Sequence, residues 1–333
     1  DTEVDVSVVN LSETDEKALN IALNKIQGDW DFTPLADLLT ELDTGAFDLT
    51  LTGFDTDELE RMMNYTPVGE VQEDEAPEPP EEAVTKPGDI WQLGRHRVMC
   101  GDSANLADVE RLMQGLKADM VFTDPPYNVA SGGRNYAQDV DNMKRTYGGL
   151  AEAEWDKNFN IEPALDAMLH VMAGDCAAYV CTSHFLVQRI WDWAARWATF
   201  SNYCVWCKPN PAPCLSKRHW TWATELMVYA VRGKHVCNFP QSGHALNWWE
   251  IVSPTHTTDH PTEKPVAIPT KAMEFSSAPG ALVLDVFLGS GTTLIAAEQL
   301  GRTCYGMEID PRYCDVTVKR WEQLTGKKAE LVR

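Results

Sequence analysis

Asp124, Pro125, Pro126 and Tyr127 follow an apolar run over 119–123 that reads as a buried strand. Two prolines cannot continue a strand ladder or start a helix, so the backbone is held extended and turned outward at the strand's C-terminal edge. That displays a carboxylate, a backbone carbonyl and an aromatic face together. In open α/β sheets this edge is where ligands bind. The set suits a planar ring bearing an amine: Asp124 and the Pro125 carbonyl accept its two N–H bonds, and Tyr127 stacks on its face. The competing reading is a proline-rich turn that carries an Asp.

A second pattern lies near the other end. Residues 281–287 are an apolar run suited to a central parallel strand. A turn containing Gly289, Ser290 and Gly291 follows, then a helix-forming stretch over 294–300. Strand, glycine turn and helix form a nucleotide cradle, with glycines admitting a ligand and the hydroxyls of Thr292 and Thr293 placed to cap the helix. A second strand, 303–308, ends in Glu308, 17 residues after Gly291, near the usual offset of a ribose-binding acid.

Together these motifs resemble the amino-directed DNA methyltransferases that use S-adenosylmethionine. The matching pieces are Asp124 to Tyr127, the F-x-G-x-G of Phe287, Gly289 and Gly291 behind Asp285, and the six residues from His260 to Pro265. The catalytic motif precedes the cofactor motif, the permuted order of the β class. The likeness spans about 88–325 and includes residues 100–102 and 205–208. It implies an α/β, Rossmann-like methyltransferase fold with a small α-rich N-terminal appendage. It implies transfer of a methyl group from S-adenosylmethionine to the N6 amine of a flipped-out adenine in double-stranded DNA, by a homodimer. Asp rather than Ser at 124 favours adenine; cytosine N4 is the runner-up. A catalytically idle DNA-binding regulator and an RNA methyltransferase are the rivals. No restriction or phage partner can be named from these residues.

By the same resemblance, Asp124, Pro125, Pro126 and Tyr127 bind the target base. Phe287 packs on the cofactor, Gly289 and Gly291 admit it, Thr292 starts the helix behind it, and Glu308 takes its ribose hydroxyls. Asp285 faces the methionine ammonium. Asp102 either sits beside the adenine or caps its own turn. Thr262 and Lys264 either reach the methionine carboxylate or are solvated. A dinucleotide such as NAD fits less well, because the spacing is not G-x-G-x-x-G.

Bulk properties agree. The chain has 333 residues, 44% hydrophobic, with a net charge of −22. Residues 1–85 hold 23 acids and 3 bases, a net of −20; the remainder holds 27 acids and 25 bases, a net of −2. The catalytic part is therefore near neutral, and DNA affinity would rest on local basic faces. These are expected in a contacting loop over 128–158, with Arg134, Tyr136, Lys144 and Arg145, and in a target-recognition region over 209–258, with Lys217, Arg218 and His219. Nine cysteines without framework spacing point to free thiols in a reduced, cytoplasmic compartment. No run is apolar enough to span a membrane. Cys204 and Cys207, with Cys214, His219 and Cys237, raise the idea of zinc, but residues three apart on a strand face opposite ways, so no metal is expected.

Three segments follow. Residues 1–64 resemble part of a ParB-like domain, with helices expected over 13–26, over 35–42 and after Asp55. Residues 65–88 have the composition of a Pro/Glu-rich linker. The catalytic domain fills 89–333. Its early elements are a hairpin over 90–100 turning at Gly94 and a helix over 106–114 stopped by Gly115. Further helices are expected over 161–172 and 185–197, and strands over 177–181, 203–208 and 225–231.

Overall fold

The computed structural model describes residues 76–127, 159–211, 220–240, 244–253 and 264–332, with 12, 15–17, 19–20, 42 and 48–52 near the N-terminus. The chain divides into two units, Asp1–Glu70 and Val71–Arg333. In the first, 15–17 and 19–20 are helical, and Leu49–Thr52 form a 3-10 turn with Thr52 buried. Asp48 Oδ1 starts that turn by accepting from Thr50 N at 3.0 Å. The rest of the expected N-terminal helices lies outside the described residues.

In the second unit the hairpin forms as its turn chemistry predicts: β1 (Ile90–Leu93) and β2 (His96–Cys100) pair antiparallel about Gly94, whose φ is +57°. Helix α1 (Leu106–Met113) is capped by Asn105, whose side chain accepts from Ala107 N. It ends one residue earlier than predicted, because Gln114 takes the left-handed conformation. Strand β3 (Ala118–Thr123) follows. After the undescribed stretch, α2 (Glu162–Val171) runs straight into β4 (Met172–Thr182), longer than its apolar core suggested. Then come α3 (Val187–Ala195), β5 (Phe200–Cys207), β6 (Thr224–Arg232) and β7 (Trp248–Glu250). The chain closes with α4 (Ala267–Ser276), β8 (Leu282–Asp285), α5 (Thr292–Gln299), β9 (Thr303–Glu308), α6 (Pro311–Thr325) and β10 (Glu330–Val332).

The strands form one ten-stranded sheet in the order β10-β1-β2-β9-β8-β3-β4-β6-β5-β7. The run β2-β9-β8-β3-β4 is parallel. Consecutive side chains of β3 go to opposite faces: Met120 and Phe122 join one apolar cluster, Val121 the other. Helices cover both faces, which is why these strands are apolar throughout. The chain reverses direction across the sheet between β8 and β3, so the crevice outside their C-terminal ends is the expected ligand site. No helix among the described residues is long and apolar enough to cross a membrane.

The expected linker ends before residue 88. Val84 N and Thr85 N donate to the Asp315 carboxylate at 2.7 and 3.1 Å, and Trp91 Nε1 donates to Thr85 Oγ1 at 2.9 Å. Asp315 on α6 supplies the acceptors that a Pro/Glu-rich composition could not reveal.

His96 ties three elements together from a fully buried position. Its Nδ1 accepts from Cys304 N at 2.9 Å, which puts the proton on Nε2, 2.7 Å from Glu298 Oε2. That carboxylate also accepts from Trp321 Nε1 at 2.9 Å. Burial holds the imidazole below its ordinary 6.5, so it stays neutral. A group whose folded pKa is depressed contributes stability above its unfolded pKa and loses it as pH falls. His96→Phe, a slightly larger ring without nitrogens, should strand Cys304 N–H and take one of three donors from Glu298, costing about 2–4 kcal/mol. Urea titrations should also show a shallower loss of stability in the variant than in the wild type as pH falls below about 6.5.

Candidate active site

Asp124 begins where β3 ends. Thr123 Oγ1, the last strand residue, donates to Asp285 Oδ1 at 2.7 Å and so fastens β3 to the end of β8. Beyond the two prolines, Ser183 Oγ donates to the Tyr127 carbonyl at 2.9 Å, fixing the turn against the end of β4. The motif is thus held on both sides by neighbouring strands.

The Asp124 side chain meets a cation supplied from 140 residues away. Lys264 Nζ lies 2.5 Å from Asp124 Oδ2, 2.9 Å from Tyr127 Oη and 3.2 Å from Glu225 Oε2. Glu225 stands at the start of β6, and its other oxygen lies 2.5 Å from Lys208 Nζ. Tyr127 Oη also donates to Glu225 Oε2 at 3.3 Å. Two carboxylates and two ammonium groups therefore balance in one partly dehydrated cluster. Burial pushes the Asp124 carboxyl up and Lys264 pulls it back, with a net upward direction. Burial works against the charged form of Glu225, but Lys264 and Lys208 outweigh it and hold that carboxyl at about 2. Burial likewise opposes the Lys264 ammonium, and its two carboxylate partners keep it charged. Cys181 and Asp285 face the same cluster; burial pushes the Cys181 thiol well up.

Asp124 Oδ1 is different. It is buried and has no hydrogen-bond partner among the described residues. A buried carboxylate oxygen left without a donor is costly, so a donor from outside the chain is the natural complement.

The glycine turn stands on the neighbouring strand. Gly289 has φ +55° with open space where a Cβ would point. Its N–H donates to Glu308 Oε2 at 2.9 Å, and Asp310 N donates to Oε1 at 2.9 Å. Glu308, at the end of β9, is pushed up by burial and satisfied here by backbone N–H groups. Phe287 is half-buried and packs edge-on against Phe159 at 5.6 Å. An open glycine floor, an aromatic ring and an acid with spare lone pairs fit a nucleoside. Asp102 is exposed at the end of β2, whose last residue pairs with Glu308; its Oδ1 accepts from Ala104 N at 2.9 Å, so it does cap its own turn.

Four expectations shift. Lys264, aimed from sequence at a methionine carboxylate, is committed to Asp124. Asp285, expected to face an ammonium, is buried and accepts from Thr123, from Phe287 N at 3.0 Å and from Thr293 Oγ1 at 2.6 Å. Its carboxyl is pushed up to about 6 by burial. Gly291, at φ +92°, is needed for packing: a Cβ there would lie 2.7 Å from Thr317 Cγ2. Thr292 does not cap α5 but accepts from Arg320 Nη1 at 3.3 Å, and Gly291 is the N-cap. Thr262, Arg134, Tyr136, Lys144, Arg145, Lys217, Arg218 and His219 lie outside the described residues. Glu225 is the residue that motif reading missed. Its signal is faint: one acid directly before the apolar run 226–231 of a strand.

Replacing Lys264 by Met should leave Asp124 and Glu225 sharing one cation fewer. A buried pair broken in this way costs about 3–5 kcal/mol. The folded-state pKa values of both acids should rise, and such groups lose stability as pH rises through those values. The deficit of Lys264→Met in urea denaturation should therefore be larger at pH ~8 than at pH ~4.5.

Comparison with known proteins bears on the same residues. A family model described as DNA methylase matches 118–319, and one described as ParB-methyltransferase HTH domain matches 34–87, crossing the boundary expected between appendage and linker. Type II methyltransferase M2.DpnII of Streptococcus pneumoniae is 27% identical over 227 residues, covering 61% of this chain and 82% of its own. Type II methyltransferase M2.LlaDCHI of Lactococcus lactis subsp. cremoris is 28% identical over 241 residues, covering 64% and 87%. Among solved structures, the M1.HpyAVI–SAM complex aligns with a TM-score of 0.52 at 22% identity, over 67% of this chain and 98% of that one, which supports the shared fold. With more than half of its length, including Asp124 to Tyr127 and Gly289 to Gly291, inside that match, the chain belongs to the DNA methylase family.

Proposed function

We propose that the protein transfers a methyl group from S-adenosylmethionine to the exocyclic N6 amine of an adenine flipped out of double-stranded DNA. The observation that carries this is Asp124: one oxygen locked by Lys264, the other buried with no donor among the described residues. An amine in a duplex cannot reach such a strand end, so the base must leave the stack.

S-adenosylmethionine, when bound, supplies a methyl group on a positively charged sulfur. Glu308 would hold its ribose, with Phe287, Gly289 and Asp102 around the nucleoside. The exocyclic nitrogen is a weak nucleophile because its lone pair is delocalised into the ring. Asp124 Oδ1 and the Pro125 carbonyl accept its two N–H bonds, drawing the nitrogen toward a tetrahedral shape and stabilising its developing positive charge. As the N–C bond forms and the S–C bond breaks, the nitrogen sheds one proton. Asp124 Oδ1 is placed to receive it, and the upward push of burial on that carboxyl suits the task. Tyr127, its hydroxyl held by Lys264 and Glu225, steadies the ring by stacking.

Asp124→Ala should lower methyl transfer by about 10²–10³-fold while S-adenosylmethionine affinity stays within about twofold. Mass spectrometry of nucleosides from unmethylated DNA incubated with the wild-type protein and S-adenosylmethionine should show N6-methyladenine. N4-methylcytosine would keep the mechanism and replace the base; no methylated base on DNA of varied sequence would overturn the proposal.

A further inference from the structure

We infer that Glu225 is a positioning residue for methyl transfer, setting the orientation of Asp124 through Lys264 and of Tyr127 through its hydroxyl, with Lys208 as its anchor. The inference rests on the function proposed above and extends it to residues on two other strands.

The geometry is specific. Glu225 Oε2 touches both Lys264 Nζ, at 3.2 Å, and Tyr127 Oη, at 3.3 Å, so one oxygen addresses the holders of both catalytic groups. Oε1 is taken by Lys208 Nζ at 2.5 Å. The backbone on each side is rigid. Glu225 pairs with Trp206 of β5, and Leu226, the next residue, pairs with Thr182 of β4. Glu225 therefore stands beside Ser183, which holds the Tyr127 carbonyl. Lys208 N donates to Ala223 O at 2.8 Å, and the Lys208 ammonium lies 4.4 Å from the Trp206 ring centroid.

Stability alone does not call for this arrangement. Apolar replacements of buried ion pairs are commonly neutral or stabilising, because dehydrating two charges offsets their attraction. What the pair supplies is direction. Lys264 has a flexible four-carbon stem, and with only Asp124 and the neutral Tyr127 hydroxyl as partners its ammonium could bridge both carboxylate oxygens. Drawn toward Glu225 as well, it is held on the Oδ2 side, and Oδ1 stays free for the amine. Small displacements at this point are expensive, since a misplacement of about 1 Å in a reacting geometry can cost 10²-fold in rate.

The test compares Glu225→Ala, Glu225→Gln, Lys208→Met and Asp124→Ala with the wild type. Steady-state kinetics are measured on unmethylated DNA, and S-adenosylhomocysteine binding by calorimetry. Glu225→Ala should lower kcat by about 10²-fold with KM for S-adenosylmethionine within about twofold. Glu225→Gln, which keeps the length and one accepting oxygen, should recover to within about tenfold of wild type, and Lys208→Met should lose about threefold to tenfold. S-adenosylhomocysteine should bind all four variants within about twofold of wild type. A wild-type kcat in Glu225→Ala, beside an inactive Asp124→Ala, would overturn the positioning role alone. Parallel loss of kcat and S-adenosylhomocysteine binding in Glu225→Ala and Glu225→Gln would make Glu225 a structural residue instead. Full activity in Asp124→Ala would overturn the proposed function and this inference with it.

Discussion

One ammonium group shared by two carboxylates organises this molecule's reactive edge. Lys264 bridges Asp124 and Glu225, and Lys208 supplies the second positive charge: in a partly dehydrated site, charges of like sign repel strongly and an unpaired one is costly. Because Lys264 engages only Oδ2, the Asp124 Oδ1 has no donor among the described residues. The Tyr127 hydroxyl is fixed by the same two groups. The charge balance and the geometry of the site are thus one interaction.

The sheet exists, from this viewpoint, to bring its participants to one edge. Strands β3, β8 and β9 are parallel neighbours, so Asp124, the Gly289 turn and Glu308 emerge side by side although Asp124 precedes the others by far in sequence. The hydrogen bond from Thr123 to Asp285 ties the end of β3 to the end of β8. The carboxylates in the site have distinct surroundings. Glu225 is held low by two lysines, Asp285 is pushed to about 6 by burial, and Asp124 is pushed up by burial against the pull of Lys264. Separation of acidities by environment is how one site can hold several acids with different work to do.

Membership of the DNA methylase family agrees with motif order and with the sheet. The ParB-methyltransferase HTH match covers 34–87 and so runs from the segment of ParB-like resemblance, 1–64, into the Pro/Glu-rich stretch. Thr85, near the end of that match, is anchored on Asp315 within the second unit.

Sequence alone determined the two motifs and the elements around them, but did not mark α4, α6, β7 or β10. Strand runs, the Gly94 turn, the prolines after β3 and the F-x-G-x-G spacing are local properties: hydrophobic period, turn chemistry and backbone restriction act within a few residues. That is also why the errors at element ends are small, as with Gln114 or the early residues of β4. Which side chain answers which was decided by tertiary structure. Asp285 looked like a ligand acid but is consumed by Thr123 and Thr293. Lys264 looked like a cofactor contact but meets Asp124, and Glu225 was silent until β6 was laid beside β4. The physical reason is that a charge chooses its partner by distance and dehydration in space, and the strands that set both come from segments more than a hundred residues apart.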